Sequence, residues 1–305
     1  MNFKLFIYYC AVCGGWAALL AWGLCFLLGP ADPRQFRTAM GNAILIGACL
    51  GAMVAAAVGF VDALLNAVGF QRIQRTLLCA GVGLLGGLIG GALGQSFHNA
   101  GMPRWIGWII VGVFIGASIG LFDVIRAATT RGDMKIPIKR TLNGIYGGVL
   151  GGFLGGIFYD TLMVAVNNPE EPMKGRLPFS GLATGLVILG LLIGSLIALA
   201  QVFLKEAWVK IDSGRRAGKE MMLSKDETVI GRAEGVDIGL YGEQGIEKQH
   251  ARIVLKNNAY YLEDNGTPGG TFLNEQRVTS RAPLKNGDRI QVGTAVLRFG
   301  ERQKR

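Results

Sequence analysis

The sequence predicts an all-α polytopic membrane domain of six transmembrane helices, arranged as three parallel hairpin repeats, followed by an all-β sandwich. Three observations carry this. Up to about residue 204 the chain holds six apolar runs, each long enough to cross about 30 Å of hydrocarbon as a helix. A glycine-rich pattern recurs between those runs at constant offset. From residue 205 on, charged and turn residues are spread throughout, and short runs alternate apolar with polar side chains.

The 305 residues therefore divide into a membrane domain over 1–204, a short linker with a candidate first strand over 205–219, and a sandwich over 220–305. The formal net charge of +10 comes largely from Lys and Arg flanking the apolar runs, the arrangement expected beside anionic lipid. No basic patch interleaved with aromatics points to nucleic acid. All five cysteines, Cys10, Cys13, Cys25, Cys49 and Cys79, lie in apolar runs, which argues against a disulfide framework. Cys10 and Cys13 form a C-x-x-C without a second pair, so no metal site is expected.

The first run, to Leu28, lacks a small-residue cleavage site before Gly29-Pro30 and reads as a retained helix. Five more runs follow near 40–66, 76–97, 105–125, 141–166 and 180–204. Cations gather at alternate ends: Lys4, then Arg72 and Arg75, then Arg126, Arg131, Lys135, Lys139 and Arg140, then Lys205 and Lys210. That bias places both termini in the cytoplasm. Arg75-Thr76-Leu77 followed by Leu85-Gly86-Gly87 matches Arg140-Thr141-Leu142 followed by Leu150-Gly151-Gly152, and Gly59-Phe60-Val61-Asp62 recurs as Gly120-Leu121-Phe122-Asp123. A parallel repeat about an axis along the membrane normal follows, with the first run a diverged copy.

Glycines at every fourth position, as in Gly83, Gly87, Gly91 and Gly86, Gly90, Gly94, line single helix faces and predict close backbone packing. Packing within one chain or between chains satisfies them equally, so a homo-oligomer stays an alternative. Asp62 and Asp123 sit near the cytoplasmic ends and are expected to pair with cations of the basic loops rather than to mark a substrate path. The Pro-rich segment 167–180 reads as a structured turn on the opposite side. In the last third, 207–211, 228–230, 251–255, 260–263, 289–292 and 296–299 are the clearest strands.

Gly231-Arg232, Glu247-Lys248-Gln249-His250 and Thr267-Pro268-Gly269-Gly270-Thr271-Phe272-Leu273-Asn274 stand in an order and spacing that resemble a forkhead-associated (FHA) domain. The resemblance covers roughly the last ninety residues. It implies a phosphothreonine reader, with loops at one end of a sandwich holding phosphate and peptide. Arg232 matches the phosphate-binding arginine, whose guanidinium fork suits a phosphate. Gly231 and His250 match structural positions. Lys248, Gly269, Gly270, Thr271 and Asn274 complete the expected partner-binding set.

Two positions depart from the family. Glu247 replaces a serine hydroxyl that donates to phosphate, and an ionised carboxylate only accepts. Gly269 replaces an asparagine and offers no side chain. The expectation is that Glu247 pairs with Arg232, partly shielded from water, and that recognition is phosphate-independent. The partner is then a cytoplasmic protein, and the chain a signalling or scaffold protein held at a bilayer, expected in the bacterial inner membrane. The alternative is a transporter or channel regulated by the FHA-like domain. Neither His98 nor His250 has ligand or nucleophile neighbours, so neither an enzyme nor a cofactor is expected.

Overall fold

A computed structural model describes residues 3–28, 36–66, 70–130, 134–166, 181–205, 207–223, 227–256 and 259–302. Arg131 and the turn expected over 167–180 lie outside these residues. Six helices come first: α1 (Phe3–Leu28), α2 (Phe36–Asn66), α3 (Phe70–Asn99), α4 (Trp105–Thr130), α5 (Lys135–Val166) and α6 (Gly181–Phe203). All six are long and apolar enough to cross a membrane.

Each helix packs on its chain neighbours, and α6 closes the ring on α1. Alternate helices differ in depth. In their most apolar stretches α2, α4 and α6 are 50%, 44% and 44% buried, against 33%, 33% and 28% for α1, α3 and α5. The even helices therefore form the inside, where α2 touches both α4 and α6. Leu50 and Val54 of α2, Ile115 of α4 and Ile193 of α6 are fully buried in one cluster between them.

Glycine decides how close the helices come. Gly83, Gly87 and Gly91 of α3 lie against Gly51, Gly47 and Ala43 of α2, while Gly86, Gly90 and Gly94 face Phe114, Val111 and Gly107 of α4. On α5 the same division holds, with Gly144 and Gly148 against Gly116 and Gly112 of α4, and Gly147 and Gly151 against α6. A Cβ at Gly47, Gly51, Gly83 or Gly87 would run into backbone of the facing helix. The four-residue spacing thus lets backbones meet with no side chain between them.

At one end of the bundle four charges are buried together. Arg140 of α5 donates to Asp62 of α2 and to Asp123 of α4, both at 2.5 Å. Arg75 of α3 donates to Asp123 and lies 3.6 Å from Asp62. All four are at most 6% exposed. The two aspartates therefore pair with Arg75 and Arg140 of the basic clusters, as expected, but these two arginines stand on helices and not in loops. The reason is that α3 starts at Phe70 and α5 at Lys135, ahead of the apolar runs, so both arginines belong to helices and turn inward. Two carboxylates and two guanidiniums balance, which is what makes burying them tolerable.

Eleven strands follow among the described residues. One sheet has the order β2 (Glu220–Met222), β1 (Ala207–Ser213), β11 (Ala295–Glu301), β10 (Arg289–Val292), β7 (Thr271–Leu273), β8 (Gln276–Arg277). The other runs β4 (Ile238–Gly239), β3 (Glu227–Gly231), β5 (Ala251–Lys256), β6 (Ala259–Asp264), β9 (Ala282–Pro283). The alternation in the sequence sends Val209, Ile211, Ile290, Val292, Leu297 and Phe299 from one sheet, and Ile230, Ile253, Tyr260 and Leu262 from the other, into one core. Phe299 packs on Tyr260 with ring centroids 5.5 Å apart. Each large side chain so buried contributes about 1.5–3 kcal/mol.

The sandwich sits directly on the bundle end that holds the buried charges. Glu220 accepts the Phe3 N–H at 3.1 Å, and the Lys205 ammonium lies 3.5 Å from the Phe3 ring centre and 4.1 Å from that of Trp208. Asn143 donates to the Leu204 carbonyl at 3.2 Å, and Gln201 to that of Arg140 at 2.9 Å. β1, from the segment expected as a linker, lies between β2 and β11.

Candidate functional site

At one end of the sandwich two loops meet. Gly231 closes β3 where its missing side chain leaves room for the backbone of Lys248 and Gln249. Arg232 N–H then donates to Glu247 O at 3.0 Å, and Ala233 N–H to Lys248 O at 3.1 Å. This short backbone ladder sets the Arg232 and Glu247 side chains next to each other. Their charged atoms approach to 3.8 Å, yet the side chains are 53% and 51% exposed. The pairing is as expected; the shielding is not. An exposed pair of that length contributes less than about 1 kcal/mol, because water screens it and both side chains lose rotamer freedom. Lys248 is exposed beside it.

His250 holds the second loop to the first. It is fully buried. Its Nδ1 accepts the Glu247 N–H at 3.1 Å, which leaves Nε2 to carry the proton toward the Gly270 carbonyl at 3.1 Å, with Thr267 Oγ1 at 3.0 Å. Gly270 has φ of 66°, the left-handed region in which glycine is unstrained. Gly269 is exposed, with the Gly245 carbonyl and the His250 ring nearest to where a side chain would stand.

Three residues expected at the partner surface lie elsewhere, the first being Gly270, which is buried against His250. Thr271 is fully buried, and its hydroxyl donates to Asp264 Oδ1 at 2.6 Å. Asn274 stands at the far end of β7, with φ of 48° in the turn to β8. Its amide donates to Asp288 at 2.9 Å and its carbonyl accepts the Arg289 N–H at 2.9 Å, clasping the approach to β10. All three therefore support the loops from behind rather than face a partner.

Asp264 is the residue that the motif comparison passed over. Its carboxylate accepts from Gly266 N–H, Thr267 N–H, Thr267 Oγ–H and Thr271 Oγ–H at 2.6–3.0 Å. The Asp-Asn-Gly-Thr order was the available signal, since an aspartate ahead of Asn-Gly readily closes a turn on its own carboxylate. Burial pushes this carboxyl up, but the hydrogen bonds from Thr271, Thr267 and Gly266 outweigh it and hold it below the usual range. A depressed folded value gives stability that is present above the unfolded carboxylate range and is lost as pH falls through the folded one. Acid titration followed by near-ultraviolet circular dichroism should show the wild-type sandwich losing structure at higher pH than its neutral-pH stability alone dictates, and Asp264→Asn should flatten that acid limb. An unchanged acid limb in Asp264→Asn would count against the turn depending on this charge.

The family model for the FHA domain matches residues 228–293. Residues 228–293 are an FHA domain. No family model matches the six-helix region. The chain is 34% identical over 93 residues to the glycogen accumulation regulator GarA of Mycobacterium tuberculosis, covering 30% of this chain and 56% of the relative. It is 26% identical over 90 residues to the FHA domain-containing protein FhaB of the same organism, covering 30% and 57%. The match thus spans about half the length of these curated relatives. Among solved structures, the N-terminal FHA domain of Saccharomyces cerevisiae Rad53p in complex with a phosphothreonine peptide aligns at 24% identity with a TM-score of 0.29, covering 32% of this chain and 94% of that one.

The FHA domain thus carries Arg232, Glu247, Lys248 and Gly269 on its accessible loop end, with His250, Gly270, Thr271, Thr267 and Asp264 as the frame beneath. Among the described residues no cluster of His, Cys, Asp and Glu could hold a metal ion.

Proposed function

We propose that this protein is a membrane-anchored, non-catalytic docking protein whose FHA domain works in the cytoplasm and binds a partner through the Arg232, Glu247, Lys248 and Gly269 surface without requiring phosphate. The observation that carries it is the Glu247 carboxylate 3.8 Å from the Arg232 guanidinium on an FHA loop end. A phosphate arriving at Arg232 meets a like charge where a hydroxyl donor would help it, and Gly269 supplies no side-chain bond to hold the peptide. An unmodified partner with a donor group or cation for Glu247 fits these loops better.

Support for the anchor is the length and composition of the six helices and the cation bias toward the end that bears the FHA domain. The reading as three parallel hairpins draws support from the matching glycine faces of α3 and α5 and from the inner position of α2, α4 and α6. A transporter or channel has less in its favour, because large apolar side chains fill the space between the inner helices. The domains are accordingly a helical part to about residue 204 and an FHA part that includes β1.

The test is binding of the full-length protein, in detergent micelles, to matched phosphothreonine and unmodified peptide libraries. Wild type is expected to prefer neither class, and Glu247→Ser to gain about tenfold for phosphopeptides, a gain abolished by adding Arg232→Ala. A wild-type phosphate preference that Arg232→Ala removes would make this a phosphothreonine receptor instead.

A further inference from the structure

At the end of the bundle away from the FHA domain, α2, α3, α4 and Tyr159 of α5 enclose a cavity of about 320 Å³. That volume is in the range of small-ligand sites. One wall is the glycine face of α3 around Gly90 to Gly94. The polar groups that reach the cavity are Asn42, Gln95, Arg104, Trp108 and Tyr159. Each of them can donate a hydrogen bond, and Arg104 brings a positive charge as well.

No carboxylate is among the described lining residues. The neighbouring Asp160 accepts the Trp105 N–H at 3.2 Å and borders a separate groove, within electrostatic reach of the Arg104 guanidinium. Gln95 donates to Asn99 at 2.9 Å, so its carbonyl and second N–H stay available. The indole N–H of Trp108 is buried and has no acceptor among the described residues, while the ring packs edge-on against Tyr159 at 5.3 Å. A buried donor without an acceptor is an unusual state for a protein and marks a place where an acceptor from outside would be stabilised. The described lining is therefore cationic and rich in donors, with an apolar wall.

We infer that this cavity binds a phosphate-bearing headgroup, with Arg104 facing the phosphate and the Trp108 and Tyr159 donors completing its shell. Two sources share that chemistry, an anionic phospholipid and a soluble phosphate ester. The site commits to the lipid: in the membrane reading, on which this inference rests, its lining residues stand near the starts of α2 and α4 and the ends of α3 and α5, at the level where helices of this length end and headgroups begin. The glycine face of α3 then leaves room for the apolar part of the lipid beside the headgroup. Occupancy would tie α2, α3 and α4 together at that end.

The experiment uses full-length protein reconstituted in nanodiscs of phosphatidylcholine with a minor fraction of phosphatidylglycerol, extracted, washed and weighed intact to count retained lipid. Wild type is expected to retain phosphatidylglycerol over phosphatidylcholine. Arg104→Gln should lower that retention about tenfold. Ala39→Trp, which fills the cavity from α2 and leaves its charge intact, should lower it as well with unchanged helical content. Glycerol phosphate should neither bind alone nor displace the lipid; displacement at millimolar concentration would reassign the cavity to soluble phosphate esters and overturn the lipid proposal. Equal phosphatidylglycerol retention by wild type and both variants, in protein that stays in the membrane after an alkaline wash, overturns the site alone. Wild-type protein released by that wash overturns the membrane reading and the site with it.

Discussion

Replacing Arg140 with alanine is expected to destabilise the helical bundle by about 3–5 kcal/mol, because it leaves two buried carboxylates facing one guanidinium. Arg140 is the better-bonded of the two arginines. It reaches Asp62 and Asp123 at 2.5 Å each, whereas Arg75 has Nε and Nη1 without hydrogen-bond acceptors among the described residues. Arg75→Ala should therefore cost less. The double replacement Arg140→Met with Asp62→Leu keeps the remaining Arg75 and Asp123 charges balanced and should recover more than half of the loss. Thermal unfolding of the detergent-solubilised protein measures all three. An Arg140→Ala midpoint equal to wild type, or a double variant worse than the single one, would mean that the charges are not held as a balanced set. The FHA domain reports on this as well, since Gln201 binds the Arg140 carbonyl and Asn143 that of Leu204, three residues before β1.

The second large effect lies in the glycine faces. Gly87→Leu is expected to separate α2 from α3, since even a Cβ there would strike the Gly47 carbonyl and the backbone of Ala48. Overpacking of this kind typically costs about 1–3 kcal/mol, and here it falls at the high end because backbone cannot turn aside as a flexible side chain would. Gly81 on the same helix is the control. Nothing lies within 4 Å of a Cβ built there. Gly81→Leu should remain within about 0.5 kcal/mol of wild type or gain slightly from better helix propensity. Equal losses at the two positions would show that glycine serves helix flexibility and not close approach.

Both effects bear on function through the same joint. The FHA domain is seated by Phe3, Lys205 and Glu220 on the bundle end that carries the buried charges, so a bundle that loosens there also loosens the platform under β1 and β2. The loop end with Arg232 and Glu247 is framed independently of that joint, by His250 and Asp264 within the sandwich. Peptide binding and bundle stability should thus separate in the variants above, the first following Glu247 and Arg232, the second following Arg140 and Gly87.

Much of this was legible in the residues themselves. The apolar runs and the four-residue glycine spacing depend on local periodicity alone, and α3 shows both glycine series at work on two different neighbours. Gly231, Arg232 and His250 could be located because a tight backbone approach, a fork-shaped cation and a buried two-ended hydrogen-bonding ring each need one residue type. Asn274 was misplaced, since its motif position does not say that β7 carries it to the opposite end of a short strand. Strands of two or three residues, such as β4, β8 and β9, carry too few alternations to be seen.

The sequence by itself determined the two-part architecture, the helix faces and the identity of the charged loop residues, because each of these follows from spacing within a few turns or strands. Tertiary structure alone decided which charges meet. Asp62 and Arg140 are joined by the packing of α2, α4 and α5, and the first turns of α3 and α5 read as loop until their arginines are seen turned inward. Exposure of the Arg232 and Glu247 pair was likewise settled only by the loops around it, because the strength of an ion pair depends on the water left beside it, which no local pattern of residues records.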